Sequence, residues 1–149
     1  MQLDGERTIQ APREDVWRAL NDPEVLQACI LGCDSLERVN DSEFNAVVTA
    51  KFGPVKAKFK AAIELQDLDP PNSYRLSGEG KGGVAGFAKG GAHVRLQEAG
   101  DATVLSYDAD MQVGGKLAQV GSRLVGGTTN KIINEFFSRF EEQLNPSGE

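Results

Sequence analysis

Residues 117–144 read LAQVGSRLVGGTTNKIINEFFSRFEEQL, which is the longest stretch of the chain with helical periodicity. Apolar residues recur in it every three or four positions from Leu117 to Leu144, so they share one broad face of a helix, and polar residues fill most of the other side. The pattern predicts one helix from about Lys116 to Leu144. Its apolar face must be covered, so we interpret the rest of the chain as a structure wrapped around it.

The first half of this helix is rich in small residues, with Gly126 and Gly127 adjacent. A glycine inside a helix costs about 1 kcal/mol relative to alanine, so the pair needs a compensating reason. Two explanations are open at this point. Either a neighbouring backbone packs closely against the helix, or the small residues leave room for a ligand beside it.

Size and composition indicate one globular domain. The chain has 149 residues, of which 40% are hydrophobic, and this is enough to bury a single core. A formal net charge of -6 argues against nucleic-acid binding, which depends on clustered lysine and arginine. The chain shows neither a basic start followed by an apolar run nor about eighteen successive apolar residues. We therefore expect no signal peptide, no membrane span and a cytoplasmic location.

The N-terminal part predicts a strand followed by two short helices. Residues 3–10 have strand character, and Ala11-Pro12 then opens a helix with proline at an early position. Asn21-Asp22-Pro23 breaks this helix and caps a second one, which is predicted from Glu24 to about Ile30.

From Ser35 onward the hydrophobic period changes to two, which is typical of strands. Turn signals such as Gly53-Pro54 and Pro70-Pro71 divide this region into about six strands. Five of them are predicted over residues 44–52, 55–65, 74–81, 84–97 and 105–113. The order of elements predicts an α+β fold in which a curved, mostly antiparallel sheet packs its concave apolar face on the long C-terminal helix.

Alternation along these strands places an unusual number of glycines and alanines on the inner face. Glycine within a strand permits sharp bending, and small inward residues also leave space between sheet and helix; the two interpretations are compatible. We predict an apolar ligand cavity lined by Phe44, Val48, Phe52, Phe59, Tyr74, Leu76, Gly86, Ala88, Gly90, Ala92, Tyr107, Met111, Leu124, Thr128, Ile132 and Phe136.

Three segments together resemble the family of the carbon monoxide dehydrogenase G subunit. They are APREDVWRALNDPEVLQACILGC at residues 11–33, GEGKGGVAGFAKGGAHVRL at residues 78–96, and the long closing helix. The family belongs to the helix-grip superfamily, with the START lipid-transfer domains, the major birch pollen allergen and the polyketide cyclases. One departure is visible, because Leu31 stands where the family turn between Cys29 and Cys33 usually carries proline.

The resemblance implies a helix-grip domain over residues 1–145, followed by a short flexible tail at 146–149. It also implies an accessory role beside a molybdenum-containing hydroxylase of the carbon monoxide dehydrogenase type, in its assembly, its membrane recruitment or its coupling to electron acceptors. Some family members carry a C-terminal tail proposed to reach the membrane. This chain stops at Glu149, so we expect no anchor of that kind, although peripheral contact with the inner face of the membrane is compatible with the implied role.

Several chemical motifs carry no function in this interpretation. Residues 78–83 match GxGxxG, but period-two sequence follows them where a dinucleotide site needs a helix. His93 and Asp108 alternate outward, away from the predicted cavity. Cys29 and Cys33 lack further ligands in suitable spacing, so we expect no bound metal. The lysines of the outer face indicate a solvated surface, or a surface that meets an acidic partner or anionic lipid.

Three functions remain as hypotheses. The first is a non-enzymatic protein that needs no cofactor and holds a hydrophobic molecule, such as an isoprenoid quinone or a lipid, for a partner hydroxylase. The second is an assembly or recruitment adaptor that acts through its surface. The third is a cyclase-like or hydrolase-like enzyme, which the inward positions disfavour because Tyr74 and Tyr107 are almost the only titratable groups there.

Overall fold

The computed structural model describes residues 1–145, and the predicted tail at 146–149 lies outside the described residues. Its strands are β1 (Gln2–Ile9), β2 (Cys33–Asn40), β3 (Glu43–Phe52), β4 (Val55–Asp69), β5 (Ser73–Lys81), β6 (Phe87–Ala99) and β7 (Ala102–Gly114). Its helices are α1 (Arg13–Leu20), α2 (Pro23–Cys29), α3 (Lys116–Gln119) and α4 (Ser122–Leu144), with a 3-10 turn at Gly83–Ala85.

The seven strands form one antiparallel sheet in the order β1-β7-β6-β5-β4-β3-β2. Strands β2 to β7 follow one another as hairpins, and β1 pairs with the last of them, from Gln2 opposite Asp110 to Ile9 opposite Thr103. The α1–α2 pair therefore connects the two edge strands. The predicted α+β architecture, with a curved sheet around a long C-terminal helix, is confirmed.

Local sequence signals account for the helix starts. The Asp22 side chain accepts a hydrogen bond from the Glu24 backbone N–H at 3.0 Å, and Pro23 occupies the first position of α2, where its missing N–H is not needed. Glu14 and Asp15 lie in the first turn of α1, where negative charge complements the helix dipole.

The prediction of one helix from Lys116 to Leu144 is wrong in its first turns. Helix α3 ends at Gln119, and Gly121 has a φ of +102°, a conformation that an α-helix does not contain. Helix α4 starts at Ser122 as a separate element. The break allows Leu117 to be fully buried.

The strand predicted from Val84 begins three residues later. Residues 83–85 form a 3-10 turn, and the φ of +101° at Gly86 reverses the backbone before β6 starts at Phe87. Val84 therefore lies at the tip of a loop and is 87% exposed.

Buried side chains form two clusters along α4. The larger cluster joins α1, α2 and the second half of α4 to the sheet, and Val16, Leu105 and Phe140 are at most 1% exposed in it. Burying a side chain of this kind stabilises the fold by about 1.5–3 kcal/mol.

The smaller cluster consists of Phe52, Phe59, Leu117 and Val125. The two phenylalanine rings meet edge to face with centroids 6.0 Å apart. This cluster fills the space between the first turns of α4, helix α3 and the β3–β4 hairpin.

Candidate ligand-binding cavity

An apolar cavity of about 340 Å³ lies between the sheet, α2 and the second half of α4. Its lining residues come from nearly every element of the fold, and all except two of them have pure hydrocarbon side chains. They are Leu20, Leu26, Ile30, Leu36, Phe44, Ile63, Leu65, Tyr74, Leu76, Ala92, Val94, Leu105, Tyr107, Ala109, Ile132, Ile133, Phe136 and Phe137.

Helix α4 contributes two pairs of side chains spaced four residues apart, Ile132 with Phe136 and Ile133 with Phe137. Residues at this spacing lie one above the other on the same helix face, so α4 presents a continuous apolar wall. The sheet supplies the facing wall through the inward positions of its strands, where side chains alternate with a period of two.

Aromatic contacts fix the wall formed by Phe137. Its ring stacks on Tyr107, with centroids 5.8 Å apart, and meets Phe136 edge to face at 5.3 Å. The Arg7 guanidinium carbon lies 5.2 Å from the centroid of the Phe137 ring, and Arg7 Nη2 donates a hydrogen bond to Asn134 Oδ1 at 2.5 Å. These contacts connect β1 to α4 beside the cavity.

The two tyrosines are the polar residues of the lining. Tyr74 on β5 is 5% exposed, its ring meets Trp17 edge to face at 5.4 Å, and burial raises the pKa of its phenol. Tyr107 on β7 is half-buried, and its hydroxyl lies over Gly5 of β1, where an added Cβ would come within 2.6 Å of it. The lining contains no carboxylate, imidazole, amine or thiol.

Seven of the predicted lining residues lie at this cavity: Phe44, Tyr74, Leu76, Ala92, Tyr107, Ile132 and Phe136. The prediction is wrong for the other nine, which lie away from it: Val48, Phe52, Phe59, Gly86, Ala88, Gly90, Met111, Leu124 and Thr128. The cavity lies beside the second half of the long helix, whereas the predicted lining also included Leu124 and Thr128 from its first half.

Side chains fill the space where the cavity was predicted. Phe52 and Phe59 form the smaller buried cluster there, and Ala88 and Met111 pack against it, while Val48 packs against the larger one.

Two predicted lining residues of α4 have contacts or exposure that place them away from the cavity. Leu124 is 50% exposed, and Thr128 Oγ1 donates a hydrogen bond to the Lys51 carbonyl at 3.2 Å. Both belong to the turns of α4 that run past the β3–β4 hairpin.

Close backbone approach explains the glycines that were predicted to line the cavity. A Cβ on Gly90 would collide with the carbonyl of Asp110, and a Cβ on Gly86 would collide with that of Gly114. Gly82 on the same part of the sheet would place a Cβ 2.7 Å from the Phe59 ring. Space for a ligand is not what these positions provide.

Neither explanation offered for the Gly126-Gly127 pair fits the structure. A Cβ on Gly127 would meet nothing within 4 Å, and a Cβ on Gly126 would meet only Met1 Sδ, at 3.4 Å. No backbone packs closely there, and the pair is not among the residues that line the cavity.

Sequence reasoning missed Leu20, Leu26, Ile30, Leu36, Ile63, Leu65, Val94, Leu105, Ala109, Ile133 and Phe137. Strand alternation already placed Ile63, Leu65 and Val94 on the inner face, and helical periodicity placed Ile133 and Phe137 on the apolar stripe. The residues of α1 and α2 had no such signal, because a short amphipathic helix does not indicate what its apolar side covers.

Burial raises the thiol pKa of both cysteines. Cys29 is fully buried, and desolvation raises the pKa of its thiol to about 11; burial also raises the pKa of Cys33. Within residues 1–145 no three His, Cys, Asp or Glu side chains are grouped so that they could hold a metal ion.

The polar motifs set aside on sequence grounds lie outside the cavity. Arg95 Nη1 donates a hydrogen bond to Asp108 Oδ2 at 3.0 Å and lies 2.9 Å from His93 Nδ1, in a surface group on the outer face of the sheet. Residues 78–83 cover the end of β5 and the start of the 3-10 turn, so no α-helix begins there. None of the helices within the described range is long and apolar enough to cross a membrane.

Comparison with known families and structures identifies the family and the fold. The model of the CoxG family, the G subunit of carbon monoxide dehydrogenase, matches residues 5–145. A conserved protein from Geobacillus kaustophilus superposes with a TM-score of 0.91 at 33% identity, covering 99% of this chain and 97% of that one. No curated protein gives a significant match.

More distant solved structures share the fold alone. A protein from Thermus thermophilus has a TM-score of 0.73 at 19% identity, with complete coverage of both chains. Ara h 8.0201 has a TM-score of 0.69 at 14% identity, covering 97% of each chain.

Proposed function

The chain belongs to the CoxG family, and we propose that it is a non-enzymatic accessory protein that carries an uncharged hydrophobic molecule in its cavity. The observation that carries this proposal is the apolar cavity of about 340 Å³. Apolar pockets with a few polar groups are the usual form of small-molecule sites, and each square ångström of apolar surface buried there contributes about 25 cal/mol.

The cavity volume limits the size of the cargo. Small-molecule sites usually measure about 300–1,000 Å³, so this one lies near the lower end. A quinone ring is compatible with such a space, whereas a complete diacyl lipid is not. The family's name associates it with carbon monoxide dehydrogenase, which supports a molybdenum hydroxylase of that type as the partner that receives or reduces the cargo.

The lining also favours a carrier over an enzyme. General acid–base or nucleophilic catalysis needs a titratable group at the reacting atoms, and the cavity offers only the phenols of Tyr74 and Tyr107. No further cofactor is required in this proposal.

Native mass spectrometry of protein purified without detergent tests the carrier function directly. We expect an apolar molecule bound one to one, or, for protein that emerges empty, saturable binding of a short-chain quinone followed by Trp17 fluorescence. Protein that carries nothing and binds neither quinones nor other apolar ring compounds would leave the adaptor function as the better account.

A second candidate function, recruitment to an anionic membrane surface, is favoured by the distribution of lysine. Seven of the eight lysines lie at the end of the sheet formed by the β3–β4 turn, the β5–β6 loop and helix α3. We call this surface the basic end; it consists of Lys51, Lys56, Lys58, Lys60, Lys81, Lys89, Lys116 and Arg123, all exposed.

Few acidic residues offset this charge. Lys58 pairs with Asp34 at 3.8 Å and Lys81 with Glu79 at 3.7 Å, whereas the other cations of the basic end form no ion pair within residues 1–145. The opposite end of the sheet carries Asp41, Glu43, Glu64, Asp67, Asp69, Glu98 and Asp101. The chain is therefore acidic overall and yet strongly polarised.

Exposed apolar residues accompany the basic end. Val84 is 87% exposed at the tip of the β5–β6 loop, and Leu124 is 50% exposed where α4 passes the β3–β4 turn. Lysines around exposed apolar side chains suit an anionic bilayer, since each lysine near such a surface contributes about 1 kcal/mol.

A further inference from the structure

The Tyr74 side chain is almost completely buried, and its hydroxyl has no hydrogen-bond partner among the described residues. The exposed fraction of Tyr74 is 5%. Leaving such a group unpaired costs about 1–3 kcal/mol, so buried hydroxyls are nearly always satisfied. An unpaired one inside a cavity therefore indicates a missing acceptor.

Tyr74 is one of the residues that line the cavity. Among the described residues, Arg13 Nε is the one side-chain nitrogen or oxygen that is fully enclosed and lacks a hydrogen-bond partner. The Tyr74 oxygen also lacks a partner but is not fully enclosed, so it retains some contact with open space. The ring itself lines the cavity, and Trp17 covers another side of it. The cavity thus borders the Tyr74 side chain.

Tyr107 does not supply the same contact. Its hydroxyl lies at β1, over Gly5, and its ring is held against Phe137. The remaining lining atoms are hydrocarbon, so a polar atom of a bound molecule has one buried donor within the cavity, at Tyr74.

The lining also restricts charge and size. It contains no basic side chain to neutralise a carboxylate or phosphate and no acidic one to neutralise an amine, and burying an unpaired charge is strongly unfavourable. A dry cavity of about 150 Å³ holds one benzene ring, so about 340 Å³ accommodates roughly two.

We infer that Tyr74 determines specificity by donating a hydrogen bond to one oxygen acceptor, a carbonyl or ether oxygen, on an uncharged ligand of about two rings. The inference rests on the proposed carrier function and narrows its ligand class. Because burial raises the pKa of Tyr74, the phenol stays protonated and remains a donor throughout the physiological range.

Calorimetric titration with a matched pair of probes tests this inference. The probes are 1-tetralone, a bicyclic ketone, and tetralin, which has the same ring system without the oxygen. Wild-type protein, Tyr74→Phe, Tyr107→Phe and the control Ser106→Ala, which removes a hydroxyl of β7 outside the lining, are each titrated with both. We expect Tyr74→Phe to weaken tetralone binding on the order of tenfold and to leave tetralin binding unchanged. Ser106→Ala should change neither, and Tyr107→Phe should keep the wild-type ratio of tetralone to tetralin affinity.

Thermal unfolding of the empty variants provides a second readout. Tyr74→Phe removes only an unpaired oxygen and keeps the ring that contacts Trp17, so we expect its melting temperature to equal or exceed that of the wild type. A lower melting temperature would show that the hydroxyl already has a stabilising partner in the free protein, and the inference would be wrong.

The binding outcomes separate this inference from the carrier function. Equal ratios of tetralone to tetralin affinity in wild type and Tyr74→Phe would overturn the role of Tyr74 while the cavity still binds apolar molecules. A selective loss of tetralone binding in Tyr107→Phe would show that the ligand's oxygen is bound at Tyr107, and this would also overturn the inference. Failure of the wild type to bind either probe would contradict both the inference and the carrier function.

Discussion

At the scale of single residues, Ala92 and Ala88 are the same residue type in two different environments. Both lie on the inner face of β6, opposite Leu76 and Gly80 respectively. Ala92 borders the cavity, whereas Ala88 packs against the buried cluster around Phe59. The same substitution at these two positions therefore distinguishes open from filled space.

We predict that Ala92→Leu leaves the free energy of unfolding unchanged or slightly higher, because its added carbons enter empty apolar space, and that it abolishes binding of apolar ring compounds. Ala88→Leu should cost about 1–3 kcal/mol through overpacking and leave binding intact. Urea unfolding and ligand titration of both variants measure these effects. If Ala92→Leu destabilises as much as Ala88→Leu, the cavity is closed in solution and the carrier function loses its basis.

At the scale of elements, the break between α3 and α4 depends on the backbone conformation of Gly121. The glycines inside α4 have no part in this break. Gly121 adopts a φ of +102° with no side chain near its Cβ position. Gly127 has ordinary helical backbone within α4 and is exposed, also without neighbours at its Cβ position. An alanine side chain thus has room at both positions. Only the helical backbone of Gly127, and not the positive φ of Gly121, suits alanine.

We predict opposite effects for the two alanine substitutions. Gly127→Ala should raise the free energy of unfolding by about 0.5–1 kcal/mol, because alanine has the higher helix propensity. Gly121→Ala should lower it by about 1–3 kcal/mol, because alanine is strained at that φ. Chemical denaturation of the two variants gives both values. Stabilisation by Gly121→Ala would mean that α3 and α4 form a continuous helix in solution, as periodicity alone predicted.

At the scale of the whole molecule, the separation of charge between the two ends of the sheet governs how the protein approaches other surfaces. A formal net charge of -6 would repel an anionic bilayer if it were evenly spread. The basic end instead presents lysines next to Val84 and Leu124. The protein is therefore attracted to an anionic bilayer when this end faces the bilayer.

We predict that the protein binds vesicles containing phosphatidylglycerol and not vesicles of phosphatidylcholine alone, and that rising salt weakens binding by screening. The double variant Lys56→Glu/Lys116→Glu should weaken binding at least about tenfold. The matched control Arg18→Glu/Lys131→Glu changes the net charge equally, away from the basic end, and should bind nearly as well as the wild type. Co-sedimentation measures all three proteins, and equal losses in the two double variants would exclude a specific membrane-facing surface.

Periodicity in the sequence determined most of the architecture. The alternation in residues 43–113 places Tyr74 and Ala92 on the inner face, and the three-to-four spacing in α4 places Ile132 and Phe136 on its apolar side. These are local properties, because the side-chain direction at each position follows from the geometry of its own element. About half of the predicted lining residues do not line the cavity, even though the predicted fold is confirmed.

Only the tertiary structure decided which part of the inner space is filled. Phe52 and Phe59 come from one hairpin, Leu117 from α3 and Val125 from α4, and their volumes together close one half of that space. The turn at Gly121 that brings Leu117 inward is a single-residue conformation that no periodic pattern encodes. The direction of each side chain is thus set by its own strand or helix. A void depends instead on the summed volumes of side chains from distant segments, and these side chains meet only once the sheet has closed over the helix.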